Sequence, residues 1–147
     1  EPAGWAQTPL GTFWKGQKGV LKFGTPSTPV DRPQGAADRR RLRRITAAPC
    51  LLESAALMAQ AAWVLTNDSG PLHLASAVNA PTVAVYCSTI PAFGFGPLSD
   101  RSRVVESAES FPCRPCSVHG KTSCPLGHFA CGESITVDQV LSALAAL

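Results

Sequence analysis

Trp63-Val64-Leu65-Thr66-Asn67-Asp68-Ser69-Gly70-Pro71-Leu72-His73-Leu74-Ala75-Ser76-Ala77-Val78-Asn79-Ala80-Pro81-Thr82-Val83-Ala84-Val85-Tyr86 is the stretch on which the fold turns. Trp63 to Thr66 reads as a short buried strand, and Asn67-Asp68-Ser69-Gly70 breaks it. Pro71 stands where a first helical residue is expected, since its missing N–H is no loss there. Leu72 to Val78 then forms a short Ala-rich helix, stopped by Asn79 and Pro81. Thr82 to Tyr86 is a second strand, apolar on both of its faces. Apolar strands joined by so short a crossover imply a right-handed βαβ unit in a parallel sheet covered on both faces. The fold class is α/β.

The flanking sequence extends this plan. Leu51, Ala55, Met58, Ala59 and Ala62 recur at helical spacing, and Glu53 falls in the first turn, where the helix dipole favours it. Residues 87–103 form a loop rich in Gly, Pro, Ser and Phe, followed by a short strand, Val104-Val105-Glu106. A last helix runs from Val137 to Leu147. Thr136 and Gln139 form its capping box, with Ile135 and Val140 as hydrophobic staple. Towards the N-terminus, Val20-Leu21-Lys22-Phe23 is one short strand between Gly19 and Gly24. Residues 1–38 are otherwise dominated by breakers and are expected to be the least regular part. Residues 1–44 thus read as a loosely defined segment or linker, and residues 45–147 as the domain.

The chain has 147 residues, 45% hydrophobic and 16% charged, which suits one folded domain and excludes global disorder. No apolar run is long enough for a membrane-spanning helix, and the start lacks the pattern of a signal peptide. The net charge of +3 comes from a single run, Arg39-Arg40-Arg41 with Arg43 and Arg44. Without interleaved aromatics the run reads as a solvated helix face; nucleic acid is not expected as a partner, and a peripheral membrane contact stays open.

Chemistry is concentrated in Asp68-Ser69-Gly70-Pro71-Leu72-His73. This segment lies at the carboxyl end of a parallel strand and opens a helix, where ligands bind in open α/β sheets. A helix start offers unpaired backbone N–H groups and the positive end of a dipole, both suited to phosphate. Gly70 keeps no side chain between an anion and the backbone, and His73 can donate to a phosphate oxygen. Asp68 or Ser69 can cap the helix, and Asp68 can instead accept from a sugar hydroxyl. The bland reading is a plain helix cap beside a satisfied histidine. A Ser/His/Asp hydrolase is excluded, because Asp68 and Ser69 are adjacent and no G-x-S-x-G elbow exists.

These residues carry a resemblance. Leu57 to Tyr86, with its core Thr66 to Ala77, resembles the second domain of glycosyltransferase family 9, the ADP-heptose:lipopolysaccharide heptosyltransferases. Ser88 to Pro97 resembles the loop after the family's next strand. Cys113-Arg114-Pro115-Cys116 and Cys124-Pro125-Leu126-Gly127-His128 resemble segments of some members. The resemblance implies a GT-B fold, of which this chain supplies the second, Rossmann-like half. It implies an ADP-heptose-type donor on Asp68, Ser69, Gly70, Pro71, Leu72 and His73, and a lipopolysaccharide-core acceptor held by the first domain, which the chain lacks. The general base is expected in that missing domain. No cofactor is implied, and the location implied is cytoplasmic, at the inner face of the bacterial inner membrane.

The six cysteines are uneven. Cys50 and Cys87 stand alone, whereas Cys113-x2-Cys116-x7-Cys124-x6-Cys131 forms a cluster, with His119 and His128 nearby. The first pair has knuckle spacing and the second does not, so the match to a tetrahedral zinc site is partial. Structural zinc, reduced thiols and local disulfides all remain open here. The rival to a sugar transferase is therefore a non-catalytic, metal-stabilised module that recognises a protein or nucleic acid.

Overall fold

The computed structural model describes residues 50–147 and, ahead of them, the backbone of Lys22–Gly24. The expectations for residues 1–38, for the arginine run, for Val20 and Leu21, and for a domain boundary near residue 45 fall outside the described residues.

The elements follow in the order β1 (Lys22–Gly24), α1 (Leu51–Ala59), β2 (Trp63–Asn67), α2 (Gly70–Ala77), β3 (Thr82–Tyr86), a 3-10 turn (Pro91–Phe93), β4 (Ser102–Glu106), α3 (Ala130–Glu133) and α4 (Val137–Ala145). The described strands form one sheet in the order β1-β2-β3-β4. β2 and β3 pair in parallel, with Val64 opposite Thr82 and Asn67 opposite Val85. β3 and β4 are also parallel, from Thr82–Ser102 to Tyr86–Glu106. β1 runs antiparallel to β2, so the sheet is mixed rather than wholly parallel. An antiparallel edge strand on a parallel sheet needs no crossover to reach its place.

Alternation along the strands divides the core. Leu65, Val83, Val85 and Val105 face α4 and pack with Ile135, Val140 and Leu144. On the opposite face Val64 packs with Met58 and Ala75, while Ala84 and Tyr86 enclose Leu72. Helices therefore cover both faces, as an α/β layer requires.

Several boundaries differ from the sequence reading, each for a local reason. Helix α2 begins at Gly70, with Pro71 in its first turn, and it ends at Ala77. The stop lies at Asn79, whose φ of 52° is left-handed. Asn79 is held there by Asp100: its amide donates to the carboxylate at 2.8 Å, and its oxygen accepts from the Asp100 N–H at 2.9 Å. Strand β4 starts at Ser102 rather than Val104. As a half-exposed strand it carries polar Ser102 and Arg103, so hydrophobicity understates its length. Helix α1 stops at Ala59, short of Ala62, and α4 stops at Ala145. Glu53 accepts from the Cys50 N–H at 2.8 Å, closing the start of α1. The capping box of α4 is present: the Thr136 N–H donates to Gln139 Oε1 at 2.7 Å, and the Gln139 N–H to Thr136 Oγ1 at 3.2 Å.

Burial makes a direct test. Leu72 is fully buried, whereas Leu98 is 80% exposed. Leu72→Ala should cost about 2–5 kcal/mol in urea unfolding followed by circular dichroism, and Leu98→Ala should stay within about 0.5 kcal/mol of the parent. Equal losses would contradict this packing.

Candidate functional site

Parallel pairing sets β2 and β3 side by side, so Asp68 and Cys87-Ser88-Thr89 leave the sheet at the same edge. Asp68 remains tied to the ladder through its N–H, which donates to the Val85 carbonyl at 3.3 Å. Its carboxylate Oδ2 accepts from the Thr89 hydroxyl at 2.5 Å. Asp68 and Thr89 line a cavity of about 570 Å³ whose far wall is the cysteine segment, including His119, Lys121 and Cys124. Asp68 is the one carboxylate among the residues lining that cavity.

Of the six motif residues, Asp68 alone is among those lining the cavity. Ser69 is the N-cap of α2, but its hydroxyl donates to Asn67 Oδ1 at 2.8 Å and does not cap the helix. The side-chain cap read from the sequence is thus absent: the hydroxyl is turned toward Asn67, and its oxygen accepts from no N–H of the first turn. Gly70 is exposed, and a Cβ there would meet nothing within 4 Å. Pro71 completes the first turn, and Leu72 sends its side chain into the core, leaving only backbone for a ligand. His73 is exposed on the first turn of α2.

Phe95 links the two sides of this edge. Its ring meets that of His73 edge-on, with centroids 6.2 Å apart, and that of His119 at 5.6 Å. Its carbonyl accepts from the buried Tyr86 hydroxyl at 2.7 Å. Burial, with the Asp68 and Glu106 charges nearby, pushes the Tyr86 phenol up to about 12, so it stays a donor at neutral pH. Thr89, Phe95 and Arg114 were not singled out as site residues by sequence reasoning. Thr89 and Phe95 lie in the loop that resembles the family's, and Arg114 inside the Cys-x-Pro-Cys segment. Those were the available signals.

The cysteines are all free thiols in the described structure. Among the described residues no group of three or more His, Cys, Asp or Glu side chains is placed to hold a metal ion. The candidate set Cys113, Cys116, Cys124 and Cys131 is therefore not assembled as a metal centre. Two of the sulfurs turn to backbone partners. Cys116 Sγ donates to the Cys113 carbonyl at 3.4 Å, and Cys124 Sγ accepts from the Phe129 N–H at 3.4 Å. That N–H, with those of Leu126, Gly127 and His128, pulls the Cys124 thiol below its ordinary range. Burial pushes Cys87 up to about 12 and raises Cys131, which also feels Cys116 and Cys124. A lowered thiol ionises at lower pH. In a pH series of iodoacetamide labelling read by mass spectrometry, Cys124 should be alkylated at lower pH than Cys87 or Cys131. Simultaneous labelling of the three would contradict the environments described.

Comparison with known proteins bears on the family of the chain. A family model described as glycosyltransferase family 9 (heptosyltransferase) matches residues 36–126, more than half of the chain. Lipooligosaccharide heptosyltransferase 2 of Haemophilus influenzae is 42% identical over 59 residues, 40% of this chain and 17% of that protein. Lipopolysaccharide heptosyltransferase 2 of Escherichia coli is 45% identical over 49 residues, 33% of this chain and 14% of that protein. The matched stretches thus span less than a fifth of these relatives. No solved structure matches.

Proposed function

The chain belongs to glycosyltransferase family 9, and from that premise we propose that it is the donor-binding part of an inverting heptosyltransferase of lipopolysaccharide-core assembly. The donor class is a nucleotide-diphosphate sugar of the ADP-heptose type. The observation that carries the reading lies at the carboxyl end of β2: the Asp68 carboxylate lines a cavity of about 570 Å³, and the open start of α2 follows it directly in the chain.

Each group has a role in this reading. The first turn of α2 presents backbone N–H groups and roughly half a positive charge to the diphosphate. His73 donates to a phosphate oxygen, and Gly70 leaves the backbone approach open. Asp68 carries a charge that repels phosphate, so it serves the sugar hydroxyls instead. When the acceptor hydroxyl attacks the anomeric carbon, negative charge grows on the departing diphosphate. Preorganised donors at that position lower the barrier without a metal ion. Attack also needs a base for the acceptor hydroxyl. The base and the acceptor site are assigned to the family's other domain, as the resemblance implies. The 147 residues alone then bind donor and transfer no sugar. The place of action is the cytoplasmic face of the inner membrane, where a nucleotide sugar meets a lipid-borne acceptor. The rival reading, a metal-stabilised recognition module, draws no support from the arrangement of the thiols or from the family match.

Calorimetric titration of ADP-heptose tests the reading. His73→Ala should weaken binding by about 1–3 kcal/mol, the value of a hydrogen bond to a charged acceptor. Gly70→Val should abolish binding while leaving the unfolding midpoint near that of the parent, because its side chain enters open space. Both variants binding as the parent does would place the donor elsewhere.

A further inference from the structure

We propose that Thr89 is a positioning residue that fixes the Asp68 carboxylate for the donor sugar, and that Arg114 holds Thr89 for this task from the cysteine segment. The inference rests on the reading of Asp68 as a sugar contact and goes beyond it.

The two residues lie 21 positions apart and meet only because β2 and β3 end level with one another. Thr89 is 6% exposed, so little water competes for its hydroxyl. A carboxylate only accepts, so the proton between them belongs to Thr89, and the bond engages Oδ2 alone. The other carboxylate oxygen keeps its lone pairs for a sugar hydroxyl. Without Thr89 the carboxylate turns about its last bond. Binding then costs the entropy of stopping that rotation.

Thr89 is itself braced. Arg114, whose side chain is 11% exposed, donates from Nε to the Cys87 carbonyl at 2.8 Å and from Nη2 to the Thr89 carbonyl at 3.0 Å. Its Nη2 also pairs with the Glu106 carboxylate at the end of β4. The Cys116 N–H adds a bond to the Ser88 carbonyl at 2.9 Å. Cys87, Ser88 and Thr89 are thus each held from Arg114 or Cys116. Only a guanidinium supplies donors to two carbonyls and a carboxylate in one plane; a lysine ammonium in that place lacks the fork.

The test is a double-mutant cycle on the 147-residue chain, with ADP-heptose as the calorimetric probe and thermal unfolding as a check on folding. Thr89→Val should weaken binding roughly tenfold, and Thr89→Ser should return it to within about twofold of the parent. In an Asp68→Ala background, Thr89→Val should add no further loss. Arg114→Lys, which keeps the charge but loses the planar fork, should weaken binding in the same direction, and again only while Asp68 is present. If Thr89→Val binds as the parent does, or weakens binding equally with and without Asp68, the proposal is overturned and the donor reading stands. Should Asp68→Ala bind as the parent does, the donor reading itself fails, and this proposal with it. A Thr89→Val chain that does not fold leaves the decision to Arg114→Lys in the two backgrounds, with the same outcomes deciding.

Discussion

The parallel ladder between β2 and β3 is the constraint on which the rest of the structure depends. Val64, Leu65 and Thr66 are buried, as is every residue of β3. Strands buried on both faces cannot slip by one residue without exchanging their two cores, so the register of Val64 with Thr82 is held from both sides. That register decides where the chain leaves the sheet. Asn67 and Val85 are partners, hence Asp68 and the loop from Cys87 emerge together. A displacement of even one residue would separate the Asp68 carboxylate from the Thr89 hydroxyl.

The start of α2 then inherits its position from the core. Leu72 lies under the helix, enclosed by Ala84 and Tyr86, which ties the first turn to β3. With Leu72 anchored inward, Gly70 and His73 face solvent on the same turn. The dipole of this short helix and the charge of Asp68 oppose each other across a few residues. An anionic donor with a hydroxyl-rich sugar satisfies both signs, and this links the electrostatics of the turn to the proposed substrate class. Tyr86 contributes from below: its hydroxyl holds the Phe95 carbonyl, and the Phe95 ring stands between His73 and His119.

The cysteine segment is the part whose role changes most when seen in three dimensions. In sequence it is a partial match to a metal-binding unit, with reduced thiols or disulfides equally open. In the fold it is the far wall of the cavity, fastened to the loop after β3 by Arg114 and the Cys116 N–H. Its thiols differ because their surroundings do. Backbone N–H groups favour the thiolate of Cys124, whereas burial disfavours that of Cys87.

Local periodicity and turn chemistry determined much of this protein. The βαβ unit, the helix beginning near Leu51, the capped last helix and the Asp68–His73 turn are all legible in residues close together in the chain. Each depends on interactions within a few positions, such as Thr136 with Gln139. The edge strand β4 was half legible, since Ser102 and Arg103 hide it. Tertiary structure alone decided the antiparallel placement of β1, the choice of Asn67 over the helix as partner of the Ser69 hydroxyl, and the separate destinations of the thiols. It also decided the pairing of Asp68 with Thr89 and the reach of Arg114 to the Cys87 and Thr89 carbonyls. Those bonds join residues more than twenty positions apart, and no spacing rule connects such residues until the ladder brings the strand ends together.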